Sequence, residues 1–171
     1  MSAPVLVGYA TRSGSTQEVA EVIAEVLREA GLDAELQPVK KVRAVEEYSA
    51  CVLGAPLYMF RWHRDMKAFL SRNHKALQAL PLAIFALGPF HNKEEELRSA
   101  REQLDKELAK YAWLKPAAIE VFVGKFDPAK LGFPLNLLPA MKQMPASDER
   151  DWVTIRAWAK DLAGKLPSHQ R

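Results

Sequence analysis

Between Tyr9 and Gln17 the chain reads Tyr-Ala-Thr-Arg-Ser-Gly-Ser-Thr-Gln. The hydroxyls of Thr11, Ser13, Ser15 and Thr16 can donate to an anion. Gly14 lets the backbone come close, and a helix starting here adds unpaired amides and the positive end of its dipole. That set of groups fits one phosphate. The stretch has neither the G-x-G-x-x-G of a dinucleotide fold nor the Gly-Lys-Ser/Thr of a P-loop. With no lysine at the key position, nucleoside triphosphate hydrolysis is not expected. The same residues also read as an ordinary helix start, because Ser15-Thr16-Gln17-Glu18 has the hydroxyl-to-carboxylate spacing of a capping box.

The elements around this turn follow from apolar periodicity. Val5 to Tyr9 reads as a strand, and after the turn Val19, Val22, Ile23, Val26, Leu27 and Ala30 share one helical face. Gly31 suits the left-handed position that ends such a helix. Ala34 to Val39 predicts a second strand and Ala50 to Leu53 a buried third, ended by Gly54-Ala55-Pro56. Trp62, Met66, Phe69 and Leu70 make a short helical stripe, and Pro81 to Leu87 is a fourth strand closed by Gly88-Pro89. Asn92 to Glu95 offers a cap for a helix burying Leu97, Ala100, Leu104, Leu108 and Tyr111, and Ile119 to Val123 is the fifth strand. Asp148 is the expected N-cap of a last helix with Trp152, Ile155, Ala159, Leu162 and Leu166 inward. Strand and helix alternate throughout, which argues an α/β fold. Residues 1–166 are expected to form one domain, with 167–171 a frayed tail.

Composition limits the functional classes. A chain of 171 residues, 49% hydrophobic and 26% charged, suits one soluble domain with a sizeable core. The apolar runs are too short for a membrane-spanning helix, which needs about 20 residues. Met1 leads straight into a strand without a basic leader, so no secretory signal is read and the expected address is the cytoplasm. Cys51, the sole cysteine, cannot form an internal disulfide and reads as an inert core thiol. The 24 Lys and Arg against 21 Asp and Glu leave +3, too little to imply nucleic acid. No histidines have metal-ligand spacing, and no G-x-S-x-G elbow supports acyl transfer.

The phosphate turn resembles that of the flavodoxin superfamily, in which hydroxyl, any residue, hydroxyl, glycine, any residue and threonine follow one another. Thr11, Ser13, Gly14 and Thr16 match that pattern. Gly54-Ala55-Pro56-Leu57-Tyr58 and Leu87-Gly88-Pro89-Phe90-His91 stand where the superfamily builds its two flavin-ring loops. The resemblance covers nearly the whole chain. The turn itself, Ala55 to Tyr58, Arg61-Trp62-His63 and Asp151-Trp152 look like the branch containing menaquinone-dependent protoporphyrinogen oxidase. The insertion after strand five is shorter than that enzyme's family carries.

The resemblance implies a flavodoxin-like three-layer sandwich, a five-stranded parallel sheet in the order 2-1-3-4-5 and bound FMN. Thr11, Arg12, Ser13, Gly14, Ser15 and Thr16 would hold its phosphate. Ala55, Pro56, Leu57 and Tyr58, with Leu87, Gly88, Pro89 and Phe90, would hold its ring. The flavin carries the electrons, so no side chain need act as acid or base. Quinone-coupled oxidation of a small-molecule donor is the activity the branch implies.

Other residues carry two readings each. Tyr58 is the stacking candidate, followed by Trp62 and Phe90. The alternatives are helix packing for Trp62 and a satellite core cluster for Phe90. Arg61, Trp62, His63 and His91 are candidate contacts for a substrate or partner. His63 and His91 read equally as solvated histidines, and Arg61, His63 and Arg64 as a solvated helix start. Leu131 to Met144 is too apolar for a plain surface loop. It either packs over the sheet edge or a helix, or serves as a lid, a membrane-surface contact or a dimer face. Lys125, Lys130 and Lys142 bracket it, which suits an anionic membrane. Two rival functions remain. A one-electron carrier between proteins is usually acidic around its flavin, which this chain is not. A cofactor-free binding module would have kept the fold and lost the flavin.

Overall fold

Strands covered on both faces lose the alternation of polar and apolar residues, and Val5–Tyr9 and Leu82–Leu87 are buried along their whole length. In the computed structural model, which describes residues 3–59 and 61–167, they are inner strands of a parallel sheet. In chain order the strands are β1 (Val5–Tyr9), β2 (Ala34–Pro38), β3 (Ala50–Tyr58), β4 (Arg61–Trp62), β5 (Leu82–Leu87), β6 (Ala118–Phe122), β7 (Lys125–Phe126) and β8 (Ser147–Asp148). The helices are α1 (Ser15–Glu29), α2 (Arg64–Arg72), α3 (His74–Gln78), α4 (Glu94–Leu108), α5 (Pro139–Gln143) and α6 (Trp152–Lys165). The parallel path runs β2-β1-β3-β5-β6, the expected order once the two-residue β4 is counted.

Alternate residues of each strand face opposite layers. Leu6, Cys51, Leu53 and Ile84 pack with Met66, Phe69, Leu70 and Leu104 of α2 and α4. Val5, Val7, Val52 and Phe85 pack on the other face with Val19, Ile23 and Leu27 of α1 and Ile155 and Leu162 of α6. Burial pushes the Cys51 thiol up to about 12, as an inert core thiol requires. α1 ends as expected: Gly31 has φ +92°, and the amides of Gly31 and Leu32 donate to the carbonyls of Arg28 and Leu27.

Several boundaries differ from expectation. β3 does not stop at Gly54 but continues through Pro56, which pairs with Leu87, to Tyr58. Gly54 serves a close approach, since a Cβ there would lie 1.9 Å from the ring of Phe85. Trp62 is not helical. It sits on β4, folded back antiparallel on Leu57 and Tyr58 through Met59, whose φ is +47°. Asn92 does not cap α4, whose N-cap is Lys93 without a side-chain bond. Asp151, not Asp148, caps α6 by accepting from the Thr154 amide at 3.0 Å. Asp148 instead pairs with Lys125 as β8 closes an antiparallel ribbon with β7. The insertion is thus a closed excursion that leaves and returns at one point. Of the tail 167–171, all but Pro167 lies outside the described residues.

Candidate functional site

β1 delivers the chain into the phosphate turn, and Gly14 at φ +95° is the N-cap of α1. The helix therefore starts one residue earlier than a capping box on Ser15 requires, and the box does not form. Thr11 Oγ1 accepts from the Gly14 amide at 2.9 Å, so this hydroxyl shapes the loop from within. The first intrahelical bond runs from the Glu18 amide to the Gly14 carbonyl at 3.1 Å. The amides of Ser15, Thr16 and Gln17 lack intrahelical acceptors, as the first turn of any helix must, and no side chain caps them. Thr16 is fully buried, and its Oγ1 has no partner among the described residues. Leaving a buried hydroxyl unpaired costs about 1–3 kcal/mol. An acceptor from outside the chain removes that cost, and a phosphate oxygen is chemically suited to it.

Beside this turn, at the carboxyl ends of β1, β3 and β5, opens a cleft of about 690 Å³. That is within the range of small-molecule sites. Of the predicted residues, Arg12, Ser13 and Ser15 line it, with Pro56, Leu57 and Tyr58 from the first ring loop and Leu87, Gly88, Pro89, Phe90 and His91 from the second. The second of these loops is tied to the end of β6: Gly88 donates to the Phe122 carbonyl at 2.9 Å, and Gly124 to the Pro89 carbonyl at 2.8 Å. Arg12 is engaged by the 54–58 loop and the insertion: its guanidinium lies 3.6 Å over the Tyr58 ring and donates to the Phe133 carbonyl at 3.2 Å.

Beyond the turn, four predicted contacts lie outside the cleft lining. Ala55 is buried within β3, where its carbonyl accepts from the Trp62 indole at 2.9 Å, so it lines no cleft. Trp62 is 1% exposed and cannot touch a substrate or partner; the apolar ring is worth more in the core than at the surface. His63 caps α2 through Nδ1, which accepts from the Asp65 amide at 3.1 Å. Burial lowers its pKa, opposed by Asp65 and seconded by the charges of Arg12, Arg64 and Lys40. Arg61 is exposed and lines a neighbouring groove of about 450 Å³ with Lys106 and Lys110. His91 Nδ1 lies 3.2 Å from Glu149, whose carboxylate also accepts from the Asn92 amide at 3.0 Å.

The insertion forms the far wall. Leu131, Leu135, Met141 and Met144 line the cleft, while Phe133 and Leu137 turn outward, 74% and 65% exposed. Phe126 packs on Phe90 with ring centroids 4.9 Å apart. Sequence reasoning missed Met59, Gly124 and Phe126 in the lining. It also missed Arg150, which lies buried between α1 and the ribbon. Nothing in local spacing flags Met59 or Arg150; the aromatic after Gly124-Lys125 was the available hint for Phe126. Among the described residues no group of three His, Cys, Asp or Glu is placed to hold a metal ion. No helix among them is long and apolar enough to cross a membrane.

A family model for the flavodoxin domain matches residues 6–137. The chain is 23% identical over 169 residues to protoporphyrinogen IX dehydrogenase (quinone) of Escherichia coli K12, covering 92% of this chain and 93% of that one. Among solved structures it resembles oxidised flavodoxin 1 from Bacillus cereus, with a TM-score of 0.62 and 17% identity over 96% of this chain and 99% of that one. A flavodoxin from the domain Archaea superposes with a TM-score of 0.55 at 15% identity, covering 95% of this chain and 97% of that one.

Proposed function

This chain belongs to the flavodoxin domain family, and on that premise we propose that it is an FMN-dependent oxidoreductase coupling oxidation of an organic donor to reduction of a quinone. The observation that carries the reading is the pairing of an open phosphate turn, with its orphaned Thr16 hydroxyl, and an adjoining cleft with apolar and aromatic walls. The residues present fit FMN. Thr16, Ser13, Ser15 and the amides of 15–17 would hold the phosphate, and Tyr58, Leu57, Pro89 and Phe90 would border the ring. When bound, FMN takes up the electrons and passes them on. The protein's own part is to anchor, to orient, and to keep water from the apolar end of the cleft, where Leu131, Leu135, Met141 and Met144 stand.

The donor class rests on the relative named protoporphyrinogen IX dehydrogenase (quinone). Each turnover removes two electrons and two protons from the donor, and the quinone takes up both. The formal charge of +3 favours this reading over a protein-to-protein electron carrier of the usual acidic kind. Purified protein that is yellow, or turns so on adding FMN, supports the cofactor; colourless protein that fails to take up FMN sinks it. Steady-state oxidation of protoporphyrinogen with a menaquinone analogue tests the enzyme. FMN-loaded protein without turnover belongs to the carrier class.

A lipid-soluble acceptor also gives the exposed apolar residues a use. Phe133, Leu137 and Leu138 face solvent, and the exposed Lys130 and Lys142 bracket them in the sequence, the chemistry of a peripheral contact with an anionic bilayer. Flotation with anionic liposomes is expected at low salt and lost at high salt, and Leu137→Ser with Phe133→Ser abolishes it. Equal flotation of the double variant removes the membrane contact.

A further inference from the structure

Glu18 is the acidic residue in the first turn of α1. A carboxylate there is drawn to the unpaired amides of its own helix end, the groups a phosphate must use. It does not go there. Glu18 Oε2 accepts from Arg150 Nη2 at 3.0 Å, while Arg150 Nη1 donates to the carbonyl of Ser15, the first helical residue, at 3.3 Å. The guanidinium is itself fixed from the other side. Asp148 on β8 takes Nε and Nη2 in a two-pronged pair at 2.8 Å each, and the Trp152 ring lies 4.7 Å beneath. The Arg150 side chain is 3% exposed, so its geometry is set before any ligand arrives.

We infer that Arg150 is a positioning residue for the phosphate site: it holds the Glu18 carboxylate away from the free amides of α1, offsets its charge, and so keeps the turn open to an anion. The inference rests on the FMN reading and assigns Arg150 a task that no motif of the phosphate turn contains. A planar fork is needed, because one guanidinium serves Asp148, Glu18 and the Ser15 carbonyl together. Arg150 also anchors the ribbon carrying Phe126, so its loss is expected to weaken binding of any flavin by a common factor. The phosphate-specific part is separate from that factor.

The test compares the dissociation constants of FMN and of riboflavin, the same ring without the phosphate, by fluorescence quenching. In Arg150→Met the preference for FMN over riboflavin is expected to fall about tenfold, which is about 1.4 kcal/mol. Adding Glu18→Gln to that variant restores most of the preference, because the competing charge is gone. Arg150→Lys, which keeps the charge without the fork, gives an intermediate preference and serves if the methionine variant does not fold. An unchanged preference in a folded Arg150 variant overturns the inference, as does a double variant no better than Arg150→Met. Wild-type protein that binds neither flavin overturns the cofactor reading and this one with it. Wild-type binding with an Arg150-independent preference overturns this one alone.

Discussion

The phosphate turn at 10–17 and the insertion at 125–148 face one cleft, and both have local backbone bonds, but the turn takes its shape from near neighbours while the insertion takes its place against the cleft from contacts with distant residues. In the turn, Thr11, Gly14 and Glu18 bond to one another within a few positions. In the insertion, Phe133 is met by Arg12, Phe126 by Phe90, and Arg150 links Asp148 to α1. A site built from neighbours along the chain can be read from spacing. A wall built from long-range contacts cannot.

The sharpest way to break this division is Thr16→Glu. A carboxylate in place of the orphaned hydroxyl removes a charge-assisted bond and repels the phosphate, so FMN affinity is expected to drop about 100-fold, roughly 3 kcal/mol. Riboflavin binding should change far less, and titration of both ligands decides; equal losses mean that the turn also shapes the ring site. Phe126→Leu addresses the opposite wall. It removes an aromatic pair worth about 1 kcal/mol, so both flavins should lose affinity by a similar factor of about five. A loss confined to FMN would show that the insertion reports on the phosphate instead.

The smallest effect concerns His63, which belongs to neither wall. Its folded pKa lies below the unfolded value, so its contribution to stability is present above about pH 6.5 and is lost as pH falls through the folded pKa. His63→Asn keeps a capping side chain and removes the titration. Urea unfolding between pH 5 and 7 should then show a shallower fall of stability toward acid than the wild type. The FMN-to-riboflavin preference should not move; a preference that tracks the His63 variant would place this residue in the site after all.

Much of the scaffold was legible because its signals are local. The apolar period of Val19 to Ala30, the stop at Gly31 and the buried runs of β1 and β5 each follow from residues within one turn or one strand. The errors share a cause. Ser15 and Asp148 both have the side chain of an N-cap, yet Gly14 and Asp151 take those places. Local capping preference is worth only about 1 kcal/mol, and it yields to the network in which the buried Arg150 side chain binds Asp148 and Glu18. Gly54 looked like a strand end because glycine usually interrupts strands; the Phe85 ring crossing it is two strands of sequence away. Trp62 looked helical because its spacing to Met66 is, but the hairpin at Met59 turns it into the core first.

What the sequence alone determined was the succession of the five parallel strands and the turn before α1, since each is encoded by neighbours along the chain; the pairing of the 54–58 and 87–91 loops around one site came from the family resemblance. Only the tertiary structure decided that Arg12 lies on Tyr58, that the insertion walls the cleft, and that Glu18 is held off the helix end by Arg150. Those arrangements pair residues as far as 132 positions apart. Their free energies arise from burial and charge pairing across the fold, which no local pattern records.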